Sequence, residues 1–235
     1  MTLTSSMTRT RRLLATLAAA SLLSSCGGGG GDAGSSAPPP PPVASCTSGN
    51  PAPANGTAAP QVTMTLSNGA GVSGDIVITL DSGRAPATVA NFLAYVNAGF
   101  YNGTVIHRHV ANFVLQGGGY AGPLTATGTA VEKPPTRAAI ALEDNNGLCN
   151  LSLTLAMART GEPNTATSQF FINIADNNNL NGTSTTRGYA VFGSISAGAP
   201  VVTAMRAAAC TPAAVAIDGC LPVPNITVTS ARQTR

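Results

Sequence analysis

Short strand-like runs separated by turn-forming residues recur from residue 61 to the end of the chain, and they limit what it can fold into. The first two, 61-QVTMTLSN-68 and 75-DIVITLD-81, alternate apolar with polar residues and flank a Gly-rich turn, the pattern of a β-hairpin. The stretches 104-TVIHRHVANFVLQGGG-119, 154-TLAMAR-159, 169-QFFINI-174, 189-YAVFGSI-195 and 225-NITVTSA-231 continue the series. Two segments depart from it. Ala85-Pro86 opens a helix on which Val89, Phe92, Leu93 and Val96 recur at helical spacing, and a second helix is expected near Ala199 to Ala209. Many short strands, two helices and long loops point to a mainly β fold, an antiparallel barrel or sandwich.

The chain before residue 60 has a different character. Arg9, Arg11 and Arg12 precede an apolar stretch, Leu13 to Leu23, that is too short to span a bilayer stably. It ends in 23-LSSC-26, which resembles a bacterial lipobox, in which cleavage before Cys26 makes that cysteine the acylated N-terminus. The other reading is an ordinary secretory peptide with a stray cysteine, and 10-TRRLL-14 leaves the choice between general and twin-arginine export open. Five glycines (27–31) and five prolines (38–42) follow. Gly-rich chain is flexible and polyproline is stiff and extended, so this segment reads as a tether. The expected organisation is a lipoprotein signal peptide over 1–25, the lipidated Cys26 and tether over 26–59, and one folded domain over 60–235. A lipid anchor places that domain in the cell envelope, facing the periplasm. Gly27, where aspartate commonly signals inner-membrane retention, favours the outer membrane.

Charge and cysteine usage narrow the chemistry. The net charge of +3 comes from 12 basic and 9 acidic residues. Three of the basic ones lie in the leader, and the remainder is balanced, with a single lysine, Lys133. Such a chain offers no polyanion-binding surface, so nucleic acid is not an expected partner. Beyond Cys26 the cysteines are Cys46, Cys149, Cys210 and Cys220, an even set that suits an oxidising compartment. Cys210 and Cys220 bracket a Pro- and Gly-containing loop between the last helix and last strand, and are expected to pair. Cys46 with Cys149 follows by elimination. No cysteine has metal-ligand spacing. His107 and His109 would share one face of a strand, but nothing nearby supplies further ligands, so no metal is expected. There is no G-x-S-x-G elbow, and 117-GGG-119 lacks the lysine and helix of a phosphate cradle. Hydrolase and transferase readings fail.

Arg108 then stands out, because it lies among apolar runs that otherwise read as buried strand. The run 99-GFYNGTVIHRHVANFVLQGGG-119 resembles the signature of cyclophilin-type peptidyl-prolyl isomerases, F-Y-x-x-T-x-F-H-R-x-x-x-x-F-x-x-Q-G-G. Further on, 155-LAMARTGEPNTATSQFFINIADN-177 is similar to the family's second segment and 188-GYAVFG-193 to its third. The resemblance is collinear from about Gln61 to Ala231. It implies an eight-stranded antiparallel barrel capped by two α-helices, and an enzyme that accelerates rotation about Xaa-Pro bonds. It implies that Arg108 is the catalytic arginine, that Gln116 holds its guanidinium, and that Phe113 with Val114 lines the proline pocket. Ala158, Arg159, Gln169, Phe171, Leu180 and Tyr189 complete the substrate site, with His107 beside the arginine. No cofactor is implied, and a monomer is expected. The partners would be proline-containing segments of exported polypeptides, with the membrane reached through the lipid anchor.

The residue spacing agrees with that assignment. Val114 and Gln116 are two apart on a strand and share a face, as do Gln169 and Phe171, which leaves Leu115 and Phe170 to the core. Some positions depart from the family pattern: Ile106 stands for a phenylalanine, Ala111 for a proline, and Tyr189 for a histidine found in many eukaryotic members. Asn179 stands where cyclosporin-sensitive members carry a rim tryptophan, which puts drug sensitivity in doubt. The rival function is a binding module, in which the fold serves as a chaperone or envelope scaffold. The presence of both Arg108 and Phe113 favours catalysis.

Overall fold

Alternation along each strand decides the architecture. In the computed structural model, which describes residues 49–235, ten strands and two helices follow in chain order. They are β1 (Gln61–Ser67), β2 (Ser73–Leu80), α1 (Pro86–Asn97), β3 (Thr104–Val110), β4 (Val114–Ala121), β5 (Thr154–Met157), β6 (Phe170–Asn173), β7 (Val191–Ala197), α2 (Ala199–Ala207), β8 (Cys210–Thr211), β9 (Leu221–Pro222) and β10 (Ile226–Gln233). Eight of the strands close an antiparallel barrel in the order β1-β10-β3-β4-β6-β5-β7-β2. The expected barrel and both helices are therefore present. Cys26, Cys46 and the leader lie outside the described residues, as does most of the tether.

The β1–β2 hairpin shows how the pattern works. Val62, Met64 and Leu66 are fully buried and face Ile78, Ile76 and Gly74 across the pair, while Thr63 and Thr65 sit between them. One core fills the barrel, and both helices contribute to it. On α1, Val89, Phe92, Tyr95 and Val96 turn inward; on α2, Val202 and Met205 do. Phe92 meets Phe170 edge-on at 5.8 Å and lies 5.0 Å from Phe192, tying the helix to β6 and β7. The first turn of α1 has no cap from its own side chains. Glu143 supplies one from a distant loop, accepting from the Thr88 amide at 2.9 Å and the Thr88 hydroxyl at 2.7 Å.

A second, smaller apolar cluster forms on the outside of the barrel. Val114, Ala156, Phe171 and Val191 point outward, while their neighbours Leu115, Leu155, Phe170 and Phe192 point into the main core. This is the division of faces expected for β4 and β6. A barrel strand normally turns such a face to water, so an apolar face there needs another occupant.

Two features were not anticipated. The pairing of β3 with β4 shifts register between Ile106 and Arg108, so that two steps on β3 oppose one on β4. His107 is the extra residue of this β-bulge. The short strands β8 and β9 form a separate two-stranded sheet, closed by the expected disulfide between Cys210 and Cys220 with a Cα–Cα distance of 5.5 Å. Cys149 is buried, but its assigned partner Cys46 is not among the described residues.

Candidate active site

The outer face of β3 and β4 sets the site. Arg108 stands opposite Gln116 in the β3–β4 register, and its Nη1 donates to Gln116 Oε1 at 3.3 Å. Gln116 Nε2 in turn donates to Gln169 Oε1 at 2.9 Å, and Gln169 Nε2 to Glu132 Oε1 at 2.7 Å. On the other side, Arg108 Nε donates to the backbone carbonyl of Ile217 at 2.5 Å. The relay fits because residue 119 is glycine: a Cβ there would lie 2.5 Å from the Gln169 side-chain amide carbon. Partial burial pulls the Arg108 guanidinium below its ordinary value, with the charge of Asp218 acting the other way. An arginine lowered from so high a starting point stays protonated.

Beside this polar chain lies a cavity of about 190 Å³ lined by Phe113, Val114, Phe171, Leu180 and Ala158, with Arg108, Gln116, Arg159 and Tyr189 at its edges. Its size and lining suit a small apolar ring. A second cleft of about 480 Å³ shares Arg108, Gln116, Ala158, Arg159 and Tyr189 with it and extends past His107, Gln169 and Glu132. The residues singled out from the sequence thus come together around these two cavities.

Their supports differ. Phe113 follows Asn112, which has a positive φ of 54°, and its carbonyl accepts from Ile174 N–H at 2.9 Å and Asn177 Nδ2 at 2.8 Å. Asn177 is buried and also donates to Asn173 Oδ1 at 2.7 Å, part of a buried amide network that includes Asn150. Leu180 ends a single 3-10 turn, Asn178–Leu180, and accepts the Tyr189 amide at 3.0 Å. Tyr189 meets Phe171 edge-on at 5.5 Å and carries the Arg159 guanidinium 4.6 Å above its ring. Arg159 spends its donors on the carbonyls of Gly188, Arg187, Thr160 and Gly161, so it ties loops together. Asn179 is exposed on the turn beside Leu180.

The two histidines do not act as a pair. The bulge brings His107 into the same cleft as Arg108, with its ring 4.7 Å from Tyr120. Burial, then the Arg108 charge, lowers its pKa to about 4. His109 instead points to the Cys210–Cys220 sulfurs, with its nitrogen within 4.8 Å of both. Those sulfurs are joined in the disulfide and have no thiolates to offer a metal. The expectation that both imidazoles share one strand face is therefore overturned, because a bulge resets the alternation.

Three contributors escaped the sequence reading. Glu132 lies in a loop without periodicity. Ile217 contributes a backbone oxygen, which no side-chain pattern reveals. Asn177 carried a signal, since an asparagine following an apolar strand and buried in the fold must find partners.

Comparison with known proteins gives concordant findings. The family model described as cyclophilin type peptidyl-prolyl cis-trans isomerase/CLD matches residues 61–233. A peptidyl-prolyl cis-trans isomerase of Acinetobacter baylyi is 50% identical over 129 residues, covering 55% of this chain and 65% of that protein. Peptidyl-prolyl cis-trans isomerase A of Dickeya dadantii is 44% identical over 159 residues, covering 68% and 77%. Peptidyl-prolyl cis-trans isomerase B of Escherichia coli is 43% identical over 139 residues, covering 58% and 80%. A cyclophilin-type isomerase of Cryptosporidium parvum, crystallised in the presence of the dipeptide Ala-Pro, superposes with a TM-score of 0.58 over 74% of this chain and 99% of its own, at 22% identity. That last likeness speaks to the fold alone.

Proposed function

The chain belongs to the cyclophilin-type peptidyl-prolyl cis-trans isomerases, and from that premise we propose that Arg108 drives rotation about Xaa-Pro bonds of exported polypeptides held in the adjoining apolar cavity. The barrier to that rotation is roughly 18–20 kcal/mol, because amide resonance must be broken. Nothing covalent is required to lower it. In the twisted state conjugation is lost and the prolyl nitrogen becomes pyramidal and basic. A donor aimed there stabilises that state more than either planar one, which is the condition for catalysis.

The observation that carries the assignment is a braced arginine at the lip of a ring-sized apolar pocket. Phe113, Val114, Phe171 and Leu180 grip the proline ring, so the rest of the amide turns against a fixed half. Gln116 and the Ile217 carbonyl engage Nη1 and Nε, which leaves the Nη2 donors uncommitted among the described residues. A planar, permanently charged fork braced on two edges can present its third to the nitrogen or the carbonyl without reorganising. The deciding assay measures proline isomerisation by the full chain and by Arg108→Ala. A loss of about 10²–10³ in kcat/KM with the fold intact is expected, the scale of one preorganised donor. Retention of most activity rejects the assignment.

The setting of the reaction is the other half of the proposal. The domain acts as a monomer in the periplasm, tethered by acylated Cys26 to the outer membrane, and assists folding of exported chains. The ordered basic, apolar and lipobox-like elements and the Gly/Pro tether support this reading. No helix among the described residues is long and apolar enough to cross a membrane.

A further inference from the structure

We infer that the loop closed by the Cys210–Cys220 disulfide is a positioning element of the catalytic site, holding Arg108 through the Ile217 carbonyl. The inference rests on the catalytic reading of Arg108 above.

The loop is anchored beside the residue it holds. His109 and Cys220 exchange backbone hydrogen bonds, N–H to O at 2.8 Å in one direction and 2.9 Å in the other, one step along β3 from Arg108. Cys220 is then bonded to Cys210 at the start of the excursion. Gly219 lies so close to β3 that a Cβ would sit 2.6 Å from the His109 carbonyl oxygen and 2.9 Å from Val110 Cγ2. Ala216 is buried and accepts the Gly219 amide at 2.9 Å, which turns the chain between them. That turn leaves the Ile217 side chain 71% exposed while its carbonyl accepts from Arg108 Nε. The loop lines the larger cleft with Val215 and Ile217, and it also brings a backbone oxygen to Arg108, with the Asp218 charge next to it acting on the same guanidinium.

The geometry is that of a two-sided clamp. Gln116 grips one edge of the fork and Ile217 another. With Gln116 alone, Nε would turn to water and the fork could swing about its remaining hydrogen bond. A proline ring would still enter the smaller cavity, because that one is lined by residues outside the loop. The chemical step would slow.

Two variants perturb the loop independently. Gly219→Ala keeps the disulfide but pushes the loop off β3, and Cys210→Ser with Cys220→Ser removes the closure. In the full chain, each is expected to lower kcat about tenfold for a proline-containing peptide, the scale of one hydrogen bond to a charged group, with KM little changed. In the Arg108→Ala background, neither should cause a further loss. If each lowers activity by the same factor with and without Arg108, or if kcat is unchanged in Gly219→Ala, the loop has no positioning role. Should the double-serine variant fail to fold, Gly219→Ala decides alone. Full activity of Arg108→Ala by itself would instead reject the catalytic assignment.

Discussion

Arg108 and Gln116 face one another across the β3–β4 pair, with Nη1 donating to Oε1 at 3.3 Å, and Gln116 is itself held by Gln169 at 2.9 Å. The arginine is thus one member of a fixed row, which sets how substitutions along it should combine. Arg108→Lys should recover little of the activity lost in Arg108→Ala, since a point charge cannot be braced on two edges. Gln116→Ala should cost about tenfold in kcat/KM, less than loss of the arginine, because the Ile217 bond remains. The double variant should be no slower than Arg108→Ala alone, as expected of residues that act as a unit. Additive losses, measured on the same peptide, would show that Gln116 acts by some route other than the arginine.

Cyclosporin should inhibit weakly. The family resemblance assigns the rim position to Asn179, and the structure places that residue exposed on the turn leading to Leu180. An asparagine there offers little apolar area and no indole N–H. Asn179→Trp should therefore strengthen inhibition with little change in kcat/KM. Nanomolar inhibition of the unmodified chain would show that another part of the rim supplies the contact.

Acid should weaken the fold before it touches the chemistry. Buried His107 has its pKa lowered to about 4 in the folded state, against roughly 6.5 for an unperturbed histidine. Between those values the unfolded chain takes up a proton that the folded chain refuses, so lowering the pH favours unfolding. The stability in question is full above pH 6.5 and is lost as the pH falls towards 4, a change on the order of 3 kcal/mol. The His109 shift has the same direction and adds to it. Thermal melts of the wild type should drop across this window, and those of His107→Gln should drop less. From pH 6.5 to 9, kcat/KM should stay level, because Arg108 remains charged and His107 neutral. A bell-shaped profile centred in that range would contradict a mechanism without proton transfer.

At the N-terminus, the mature protein should begin at Cys26 and carry acyl chains. Mass spectrometry of protein extracted from the envelope tests this directly. An unmodified N-terminus at another residue would point to an ordinary secretory leader, and Cys26→Ser should release a soluble or unprocessed form.

Much of the barrel could be read before any coordinates, and the reasons are local. Alternation in 61-QVTMTLSN-68 and 75-DIVITLD-81 assigns each side chain to a face, and helical spacing from Val89 to Val96 does the same for α1. The outward pair Val114 and Phe171 and the inward pair Leu115 and Phe170 follow from the same two-residue period. The bulge at His107 does not, because no glycine or proline marks it and the shift exists only relative to β4. Glu132 and Ile217 belong to loops whose position depends on the closed fold, and Ile217 acts through its backbone. Side chains on the strands could be read from their alternation, and those just outside them, such as Phe113, Arg159, Leu180 and Tyr189, from the family resemblance. Glu132 and the Ile217 carbonyl had neither signal.

The amide network behind Phe113 gives the last test. Asn177 is buried, and its two Nδ2 hydrogens serve the Phe113 carbonyl at 2.8 Å and Asn173 Oδ1 at 2.7 Å. Asn173 in turn donates to Asn150 Oδ1 at 3.1 Å and Thr154 Oγ1 at 2.9 Å, so one asparagine links the wall of the apolar cavity to β5 and β6. In Asn177→Ala the Phe113 carbonyl keeps the Ile174 amide at 2.9 Å, while Asn173 Oδ1 loses its donor. Leaving a buried acceptor unpaired costs about 1–3 kcal/mol, which should appear as a lower Tm. Because Phe113 then has one anchor where it had two, KM should rise while kcat, which the proposed mechanism assigns to Arg108, changes little. Asn177→Asp should be worse, since it turns a carboxylate towards two oxygens that need donors. If Asn177→Ala instead lowers kcat at constant KM, the network serves the arginine and not the pocket wall.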